Sequence, residues 1–419
     1  MNALSAQIKK INTKDKFLLF IVSFFPVTFI LGNLFINTFI IILSLGFFIN
    51  LDENKKFFFI KEIKPLYLLF FSLLINLIFS INILNSLPRI TKIIFVIIFV
   101  MEIIRLLRKH EEFFTKYVLK FWSLLVLIIT FDCYFEYFSG QNLIGNTSAM
   151  QGRLSSFFGD ELVAGAFIYG FALYFLSYLI LSKRDKKMII FFIISIIICS
   201  FLIGERSNFI KLFISLAIFI FFNKELLKVK RILIYITSLI GIIFIILMSN
   251  GTNYKNRYYD QIFKLESNNK LKYLIYNSQY GAHYSTALSI FKNYPFFGVG
   301  VKNFRIESRK ELYNNEELSF NSVKHSTHPH QLHFEILAEN GFFGYFIFII
   351  FIIWSLKLSI NNYLKRKNLI QLASMIYLIT SLLPLLPSGS FLSTFNSGIF
   401  WINYALMLGV NNNSKIYKI

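Results

Sequence analysis

A cluster of histidines stands where a polar segment runs into an apolar one. Four of the six histidines of the chain occupy this short stretch, at His325, His328, His330 and His333. Histidine is the side chain best suited to move a proton near neutral pH. If the apolar segment enters a membrane, the cluster lies at the surface where a lipid-carried substrate would react. We therefore take His330 as the candidate catalytic residue, with His328 supporting it. Interfacial histidines without a chemical role are the alternative.

The same cluster could also bind zinc. His328, His330 and His333 could supply three nitrogen ligands, and Glu335 follows closely. However, the chain has no His-Glu-x-x-His pair, and Pro329 interrupts helical geometry between the first two histidines. We therefore expect neither a metal nor another cofactor.

Two arginines stand in short segments that are poor in lysine, Arg153 and Arg206. The guanidinium group is permanently charged, and its fork of N–H donors matches phosphate oxygens. At a membrane surface it suits a lipid diphosphate. The alternatives are contacts with lipid headgroups or ion pairs with Glu205, Asp160 or Glu161.

Two acidic residues four positions apart, Asp132 and Glu136, close an apolar run. On a helix this spacing places both on one face. Acids at membrane depth are costly, and they usually face a protein interior or a wet cavity. They could orient an arginine or line a substrate groove, or they could be interfacial acids that remain solvated.

A turn lies upstream of the histidines, in residues Asn293–Phe304. Pro295 ends a helix, and Gly298 and Gly300 permit sharp backbone geometry. We expect this segment to be structural.

The composition indicates a membrane protein. Of the 419 residues, 56% are hydrophobic, 52 are phenylalanine, and the mean hydropathy is +0.60, which is more apolar surface than a soluble domain can bury. The net charge of +21 does not indicate a nucleic-acid partner, because the cations cluster in short loops between apolar runs. Cys133 and Cys199 both lie in apolar runs, so we expect small core residues and no disulfide.

The apolar runs predict an all-α polytopic membrane protein with about 12 transmembrane helices. They lie at about 16–32, 34–50, 65–83, 90–107, 121–140, 161–182, 187–204, 208–223, 231–249, 334–356, 369–387 and 395–410. We expect helices 1–9 in residues 1–249, one large periplasmic loop in 250–333, and helices 10–12 in 334–419.

Every second loop is rich in lysine and arginine, for example 55–64, 105–120 and 183–187. By the positive-inside rule these loops face the cytoplasm. Both termini are then cytoplasmic, the polar basic start is retained before the first helix, and segments 141–160 and 250–333 are external.

Taken together, these features resemble the O-antigen ligase family, which shares a domain with O-antigen polymerases. His330 and Gln331 are followed by nine residues, then by Gly341 and Gly344, and this spacing fits the histidine motif of the family. Segment Gly204–Leu212 with Arg206, the loop led by Arg153, and the Asn293–Phe304 turn are similar to other family segments.

The chain departs from the family pattern in one place. Where family members often carry a second external arginine, before the turn at Pro295, this chain has His283. Arg257 and Arg305 are possible substitutes.

The resemblance implies a GT-C-like membrane glycosyltransferase in a bacterial inner membrane. Its donor would be an undecaprenyl-diphosphate-linked glycan and its acceptor a sugar of lipid A–core, at the periplasmic face. Arg206, Arg153, His283 and Arg305 would bind the diphosphate, and His330 would act on the acceptor hydroxyl. A polymerase of the same superfamily is the nearer alternative. A transporter or flippase is less favoured, because this chain collects its histidines and arginines at one face and shows no second repeat half.

Overall fold

The computed structural model describes residues 11–49, 51–223, 278–314 and 324–410, with four single positions at 238, 241, 245 and 255. Every regular element in these residues is helical, as the sequence predicts. The α-helices are α1 Thr13–Phe24, α2 Val27–Leu31, α3 Asn33–Ile49, α4 Leu51–Asn54, α5 Lys64–Ile78, α6 Ile83–Lys109, α7 Glu111–Phe113, α8 Leu119–Ser139, α9 Ala164–Leu181, α10 Lys186–Leu202, α11 Arg206–Phe222, α12 Gln279–Asn293, α13 Phe304–Glu307, α14 Leu332–Arg366, α15 Leu369–Ser381 and α16 Thr394–Gly409. Short 3₁₀ turns occupy Lys55–Phe59, Ser156–Glu161 and Glu311–Tyr313, and a π turn occupies Phe114–Val118.

Several helices begin at residues whose side chains satisfy the free N–H groups of the first turn. These capping residues are Asn12, Asn82, Asp185, Ser278, Gln331 and Asn368. The predicted first span is interrupted at Phe25 and Pro26, where α1 gives way to α2. Local capping therefore sets helix starts that hydropathy alone places only to within a few residues.

Three described helical stretches are long and apolar enough to cross a membrane, Glu111–Ser139, Ala164–Leu181 and Leu332–Arg366. Three shorter apolar helices, α3, α5 and α15, accompany them. The all-helical, apolar architecture is therefore confirmed, whereas the number of about 12 spans stays a prediction. The predicted span 231–249 lies outside the described residues except for three single positions.

Two hydrogen bonds between residues far apart in the sequence mark the two ends of the helical bundle. Near the start of α6, Lys92 Nζ donates to Thr394 Oγ1 at the start of α16 (3.2 Å). Near the end of α6, Arg108 Nε donates to the carbonyl oxygen of Gly409 at the end of α16 (3.1 Å). Helices α6 and α16 therefore run parallel. We call the end with Thr394 the histidine end, for the reason given below, and the end with Arg108 the basic end.

The interior between these ends is packed with large aromatic side chains, and Trp122, Trp401, Tyr174 and Tyr404 are fully buried. The polar groups of Trp122, Tyr174 and Tyr404 are hydrogen-bonded, whereas the Trp401 N–H has no partner among the described residues. For example, the Tyr174 hydroxyl donates to Asn403 Oδ1 at 2.7 Å. Hydrogen bonds of this kind hold helices together across an otherwise apolar interface. Cys133 and Cys199 are buried and free, as predicted.

Candidate active site

His330 is held in an unusual backbone conformation at the start of α14. Its φ is +55°, a left-handed conformation that costs a non-glycine residue about 1–2 kcal/mol. Two contacts hold the backbone on either side. Gln331 Oε1 accepts a hydrogen bond from the Phe334 N–H (3.0 Å), and the His330 carbonyl accepts one from the Ser388 N–H (2.8 Å). The half-buried ring is thereby set outside the helix.

Three imidazole rings meet at this point. The ring centroids of His328 and His330 are 4.1 Å apart, and those of His283 and His330 are 5.2 Å apart. His283 comes from α12, almost fifty residues earlier in the chain. We call these three residues the histidine cluster. The structure thus brings His283 to the candidate catalytic residue.

The histidine cluster is held in its neutral form. Burial, and then the neighbouring His328 and His283, lower the pKa of His330 to about 3. Burial, followed by Lys302 and His283, lowers the pKa of His328 to about 4. Burial also lowers the pKa of His283. Desolvation is the largest cause of the shift at His330, and the other two rings add to it.

The other two histidines of the motif region are occupied in packing. His333 Nε2 lies 2.8 Å from the Leu382 carbonyl oxygen, and its Nδ1 lies 3.2 Å from the Tyr345 hydroxyl. His325 lies 3.1 Å from the Ser308 hydroxyl and accepts a hydrogen bond from Arg309 at 3.2 Å. Neither joins the cluster.

The glycines of the histidine motif shape the backbone beneath the cluster. Gly341 breaks the geometry of α14 with φ +64° and ψ −169°. There the Phe342 N–H donates to the Pro295 carbonyl oxygen (2.7 Å), and the Gly300 N–H donates to the Glu339 carbonyl oxygen (2.8 Å). The Pro295–Gly300 turn therefore lies against the kinked helix backbone, which explains why both sequence segments are rich in glycine.

A Cβ atom at Gly298 or Gly341 would lie 2.4 Å from backbone atoms of the other segment. At Gly344 a Cβ would lie 2.4 Å from the Asn340 Cβ. All three positions therefore exclude larger residues for reasons of space.

A series of buried hydrogen bonds between polar side chains lies beside the histidine cluster. Lys302 Nζ donates to the Ser390 hydroxyl (2.6 Å), which in turn donates to Glu335 Oε1 (2.5 Å). Glu335 Oε2 accepts from the Phe391 N–H (2.9 Å). Since Lys302 also acts electrostatically on His328, this series fixes a positive charge near the cluster. Both carboxylate oxygens of Glu335 are therefore hydrogen-bonded within the protein.

Two buried side-chain nitrogen atoms near the cluster have no hydrogen-bond partner in the described part of the chain, Arg305 Nε and His328 Nε2. Arg305 is half-buried, and its charge lowers the pKa of His328. Buried polar atoms without partners are rare and call for an explanation. Their position beside cationic groups suits an anion.

Arg153 is engaged within the protein. Its Nη2 donates to the Leu162 carbonyl oxygen (2.7 Å) and pairs with Glu205 Oε1 (3.2 Å). Glu205 immediately precedes Arg206, the first residue of α11. The pairing with Glu205 that we left open is therefore present, and Arg153 supports the turn that leads into Arg206.

The start of α11 is linked to the cluster through the segment 382–393. Ser207 Oγ and Lys211 Nζ both donate to the Pro387 carbonyl oxygen, at 2.5 and 3.0 Å. The next residue, Ser388, is the one that donates to His330. Arg206 therefore stands, half-buried, on a helix tied to the backbone of the candidate catalytic residue.

Asp132 and Glu136 organise the Arg153 loop. Asp132 accepts hydrogen bonds from the Leu143 N–H (2.7 Å) and the Ser156 hydroxyl (2.6 Å). Glu136 accepts from the N–H groups of Ser155 (3.0 Å) and Ser156 (2.6 Å). Both acids are buried, so the interpretation as solvated interfacial acids is wrong, and these contacts bind the loop rather than an arginine.

Aromatic side chains extend the site along α12. The Tyr280 ring is 40% exposed, and its centroid lies 5.7 Å from that of His330. The Tyr284 ring lies against Phe334 (4.8 Å), and the Tyr284 hydroxyl is buried without a partner among the described residues. An exposed ring beside polar groups is a surface on which a sugar ring can pack.

Sequence reasoning missed the contributions of Lys302, Tyr280 and the segment 382–393. The residues Pro387-Ser388-Gly389-Ser390 separate two apolar runs and could have indicated a loop. They do not show which other loop this one contacts. Among the described residues, no group of three His, Cys, Asp or Glu side chains is arranged to hold a metal ion.

The fold and site define a class: a helical membrane protein with a neutral histidine cluster and cationic groups gathered at one end of its bundle. Residues 191–349 match the family model described as O-antigen ligase. The resemblance expected from the sequence is thus confirmed over these residues. Helices α11 and α12 and the motif from His330 to Gly344 fall inside the match, whereas Arg153, Asp132 and Glu136 precede it. No curated protein matches the chain.

Proposed function

We propose that this protein is a glycosyltransferase acting on an undecaprenyl-diphosphate-linked glycan at the histidine end of the bundle. The glycan is transferred to an acceptor sugar, for which lipid A–core is the proposed carrier. The observation that supports this best is the neutral His330 in contact with His328, which with Arg305 has a buried nitrogen atom without a partner among the described residues, within the stretch that matches the O-antigen ligase model.

The reaction requires one bond to form and one to break. The acceptor hydroxyl oxygen attacks the anomeric carbon, the bond from that carbon to the diphosphate oxygen breaks, and the hydroxyl proton leaves. His330, whose ring is neutral, accepts the hydrogen bond of this hydroxyl and then its proton. The diphosphate departs with its charge held by nearby cations.

The low pKa of His330 fits this sequence of events. A free imidazole with a pKa of about 3 is a weak base. The diphosphate of the donor, which is esterified at both ends and therefore dianionic, raises this pKa when it binds nearby, because a negative charge favours the imidazolium form. Binding of the donor substrate therefore makes His330 a stronger base.

In this proposal Arg206 and Arg305 bind the diphosphate, and His283 completes the cluster where the family pattern has an arginine. The Nε atom of Arg305 is without a partner in the described residues, which favours it for this role. Arg153 has the supporting role given above. Tyr280 offers its exposed ring to a sugar of either substrate.

The test is in vitro transfer with purified protein. We expect His330→Ala to abolish transfer while the variant still inserts and still binds the lipid-linked donor. His333→Ala is the matched control, because its ring is bonded to Leu382 and Tyr345, and it should retain most of the activity.

Activity should persist in EDTA, because none of these steps uses a metal. An active His330→Ala variant would remove the base assignment. Loss of wild-type activity in EDTA with recovery on adding zinc would do the same and would replace this scheme with a metal-dependent one.

A polymerase would use the same groups with a second lipid-linked repeat as acceptor. The lipopolysaccharide of a deletion strain separates the two activities. Free lipid-linked polymer of full length indicates a ligase, and a single repeat on the core indicates a polymerase.

A further inference from the structure

The basic end of the bundle contains a cavity of about 490 Å³, far from the histidine cluster. It lies between the 3₁₀ turn Lys55–Phe59 and the last turns of α6. Its described lining residues are Asn54, Lys56, Phe57, Ile60, Arg105, Arg108 and Lys109. Four of these are permanent cations and none is acidic. The α6 helix has 27 residues, or about 40 Å at 1.5 Å per residue, so the cavity is separated from the histidine end by the thickness of a membrane.

Three described acids near this cavity, Asp15, Glu62 and Glu102, are paired with its arginines and lysines. Arg105 pairs with Glu102 (2.5 Å) and Asp15 (2.9 Å), and Arg108 pairs with Glu62 (2.7 Å). Lys109 shares Asp15 (3.1 Å). When Lys56 is included, three buried acids face four basic residues among the described residues of this region, which leaves an excess of positive charge there.

One donor of this network is unsatisfied. Arg105 Nη1 is buried without a hydrogen-bond partner in the described part of the chain, although Nε and Nη2 are both bonded. The Arg105 side chain is 3% exposed and lines the cavity. A buried guanidinium N–H normally finds an acceptor, so an acceptor supplied from the cavity would complete it.

We infer that this cavity, which we call the basic cavity, binds a phosphate-bearing anion. The guanidinium groups of Arg105 and Arg108 match phosphate oxygens, and Lys56 and Lys109 add charge. Phe57 and Ile60 give the cavity an apolar side, as an anionic lipid headgroup with its attached chains would require. A free phosphate or diphosphate offers the same oxygens without the chains.

The experiment uses full-length protein, stripped of lipid in a neutral detergent. Native mass spectrometry measures binding of phosphatidylglycerol, with zwitterionic phosphatidylcholine for comparison. Inorganic phosphate and inorganic diphosphate are then added as competitors. Displacement of phosphatidylglycerol by these ions identifies a soluble anion as a ligand, whereas lipid binding that they do not displace identifies a headgroup.

The variants are Lys56→Gln and Lys64→Gln. Both lysines are exposed and close in sequence, and only Lys56 lines the cavity, so both variants should fold. Lys56→Gln should weaken phosphatidylglycerol binding about fivefold, the contribution of one cation near an anionic lipid surface, and Lys64→Gln should weaken it less than twofold. Equal effects of the two substitutions, or no binding of any phosphate-bearing probe, would overturn the basic cavity as a site.

Discussion

At the scale of single residues, neighbouring groups rather than residue type decide which histidines can react. His328 and His330 share one polar loop with His325, and all three have pKa values below their ordinary range because of burial. Among the described residues, only the His330 ring contacts two other histidine rings, those of His283 and His328. The chemistry proposed for it depends on this crowding, because a solvated histidine would be partly protonated near neutral pH.

The neutral cluster has a consequence for stability. The folded-state pKa values of His328 and His330 lie below the value of 6.5 that applies to the unfolded chain. Between those values the unfolded state binds more protons, so the free energy of unfolding decreases as the pH falls below about 6.5.

We therefore expect the melting temperature of the purified protein to drop between pH 7 and pH 5. A His328→Gln/His330→Gln double variant should show a shallower drop. Equal pH dependence in both proteins would show that the cluster is not protonated on unfolding in this range.

The role proposed for Arg206 can be separated from that of a simple positive charge. Arg206→Lys keeps the charge but loses the fork of donors, so it should retain more transfer activity than Arg206→Ala. Losing a phosphate-stabilising contact should cost about 2–4 kcal/mol of barrier, by analogy with the loss of one oxyanion donor.

Rates of transfer at saturating donor measure this difference. Correct insertion of each variant is the control. Wild-type rates for Arg206→Ala would show that another cation binds the diphosphate.

At the scale of elements, the site depends on a helix that is bent where it meets a turn. The break at Gly341 lets α14 accept hydrogen bonds and donate them to the Pro295–Gly300 turn. The same helix carries Gln331 and Glu335 before the break, and these bond to the groups around His330. The kink thus joins the membrane-spanning part of α14 to the residues that hold the cluster.

Gly341→Ala tests this arrangement. The new Cβ would overlap backbone atoms of Phe296 and Gly298, and φ +64° with ψ −169° is nearly restricted to glycine. Strain and overlap together should cost about 2–5 kcal/mol.

Gly140→Ala is the matched control, because Gly140 also has a positive φ but a Cβ there meets nothing within 4 Å. Thermal unfolding in detergent should show a clearly larger loss for Gly341→Ala. Equal losses of stability would mean that the Pro295–Gly300 turn moves to accommodate the new side chain. Close packing at Gly341 would then contribute little to stability.

At the scale of the whole molecule, the described loops lie in two groups at opposite ends of the bundle. The lysine-poor segments 140–163, 203–205 and 382–393 meet at the histidine end, through contacts such as Leu154 N–H to the Ile203 carbonyl (3.2 Å). The basic segment 51–63 meets the ends of α6 and α16 at the other, through Glu62 and Arg108. This division agrees with the alternation of charge along the sequence.

The positive-inside rule then predicts a cytoplasmic basic end and a periplasmic histidine end. Reporter fusions at Asn146 and Lys186 should report opposite compartments, with Lys186 in the cytoplasm. A fusion at Ser267, which lies outside the described residues, should agree with Asn146. The same compartment for Asn146 and Lys186 would reject this topology.

Much of this protein could be read from its sequence, because the properties concerned are local. Hydropathy predicts the apolar helices, loop charge predicts the two groups of loops, and the spacing from His330 to Gly344 indicates the family domain. Each of these depends on neighbouring residues along the chain. The helix caps at Gln331 and Asn368 belong to the same kind of signal.

The composition of the site was decided only by tertiary structure. His283 and Ser388 contact His330 from separate segments, and Lys302 and Ser390 meet beside the cluster. No local pattern records which loops meet across the end of a helical bundle. Likewise, Asp132 and Glu136 share a helix face in the sequence, yet only packing shows that they bind the Arg153 loop. The pKa of His330 follows from the same cause, since burial and neighbouring rings exist only once the distant segments have been brought together.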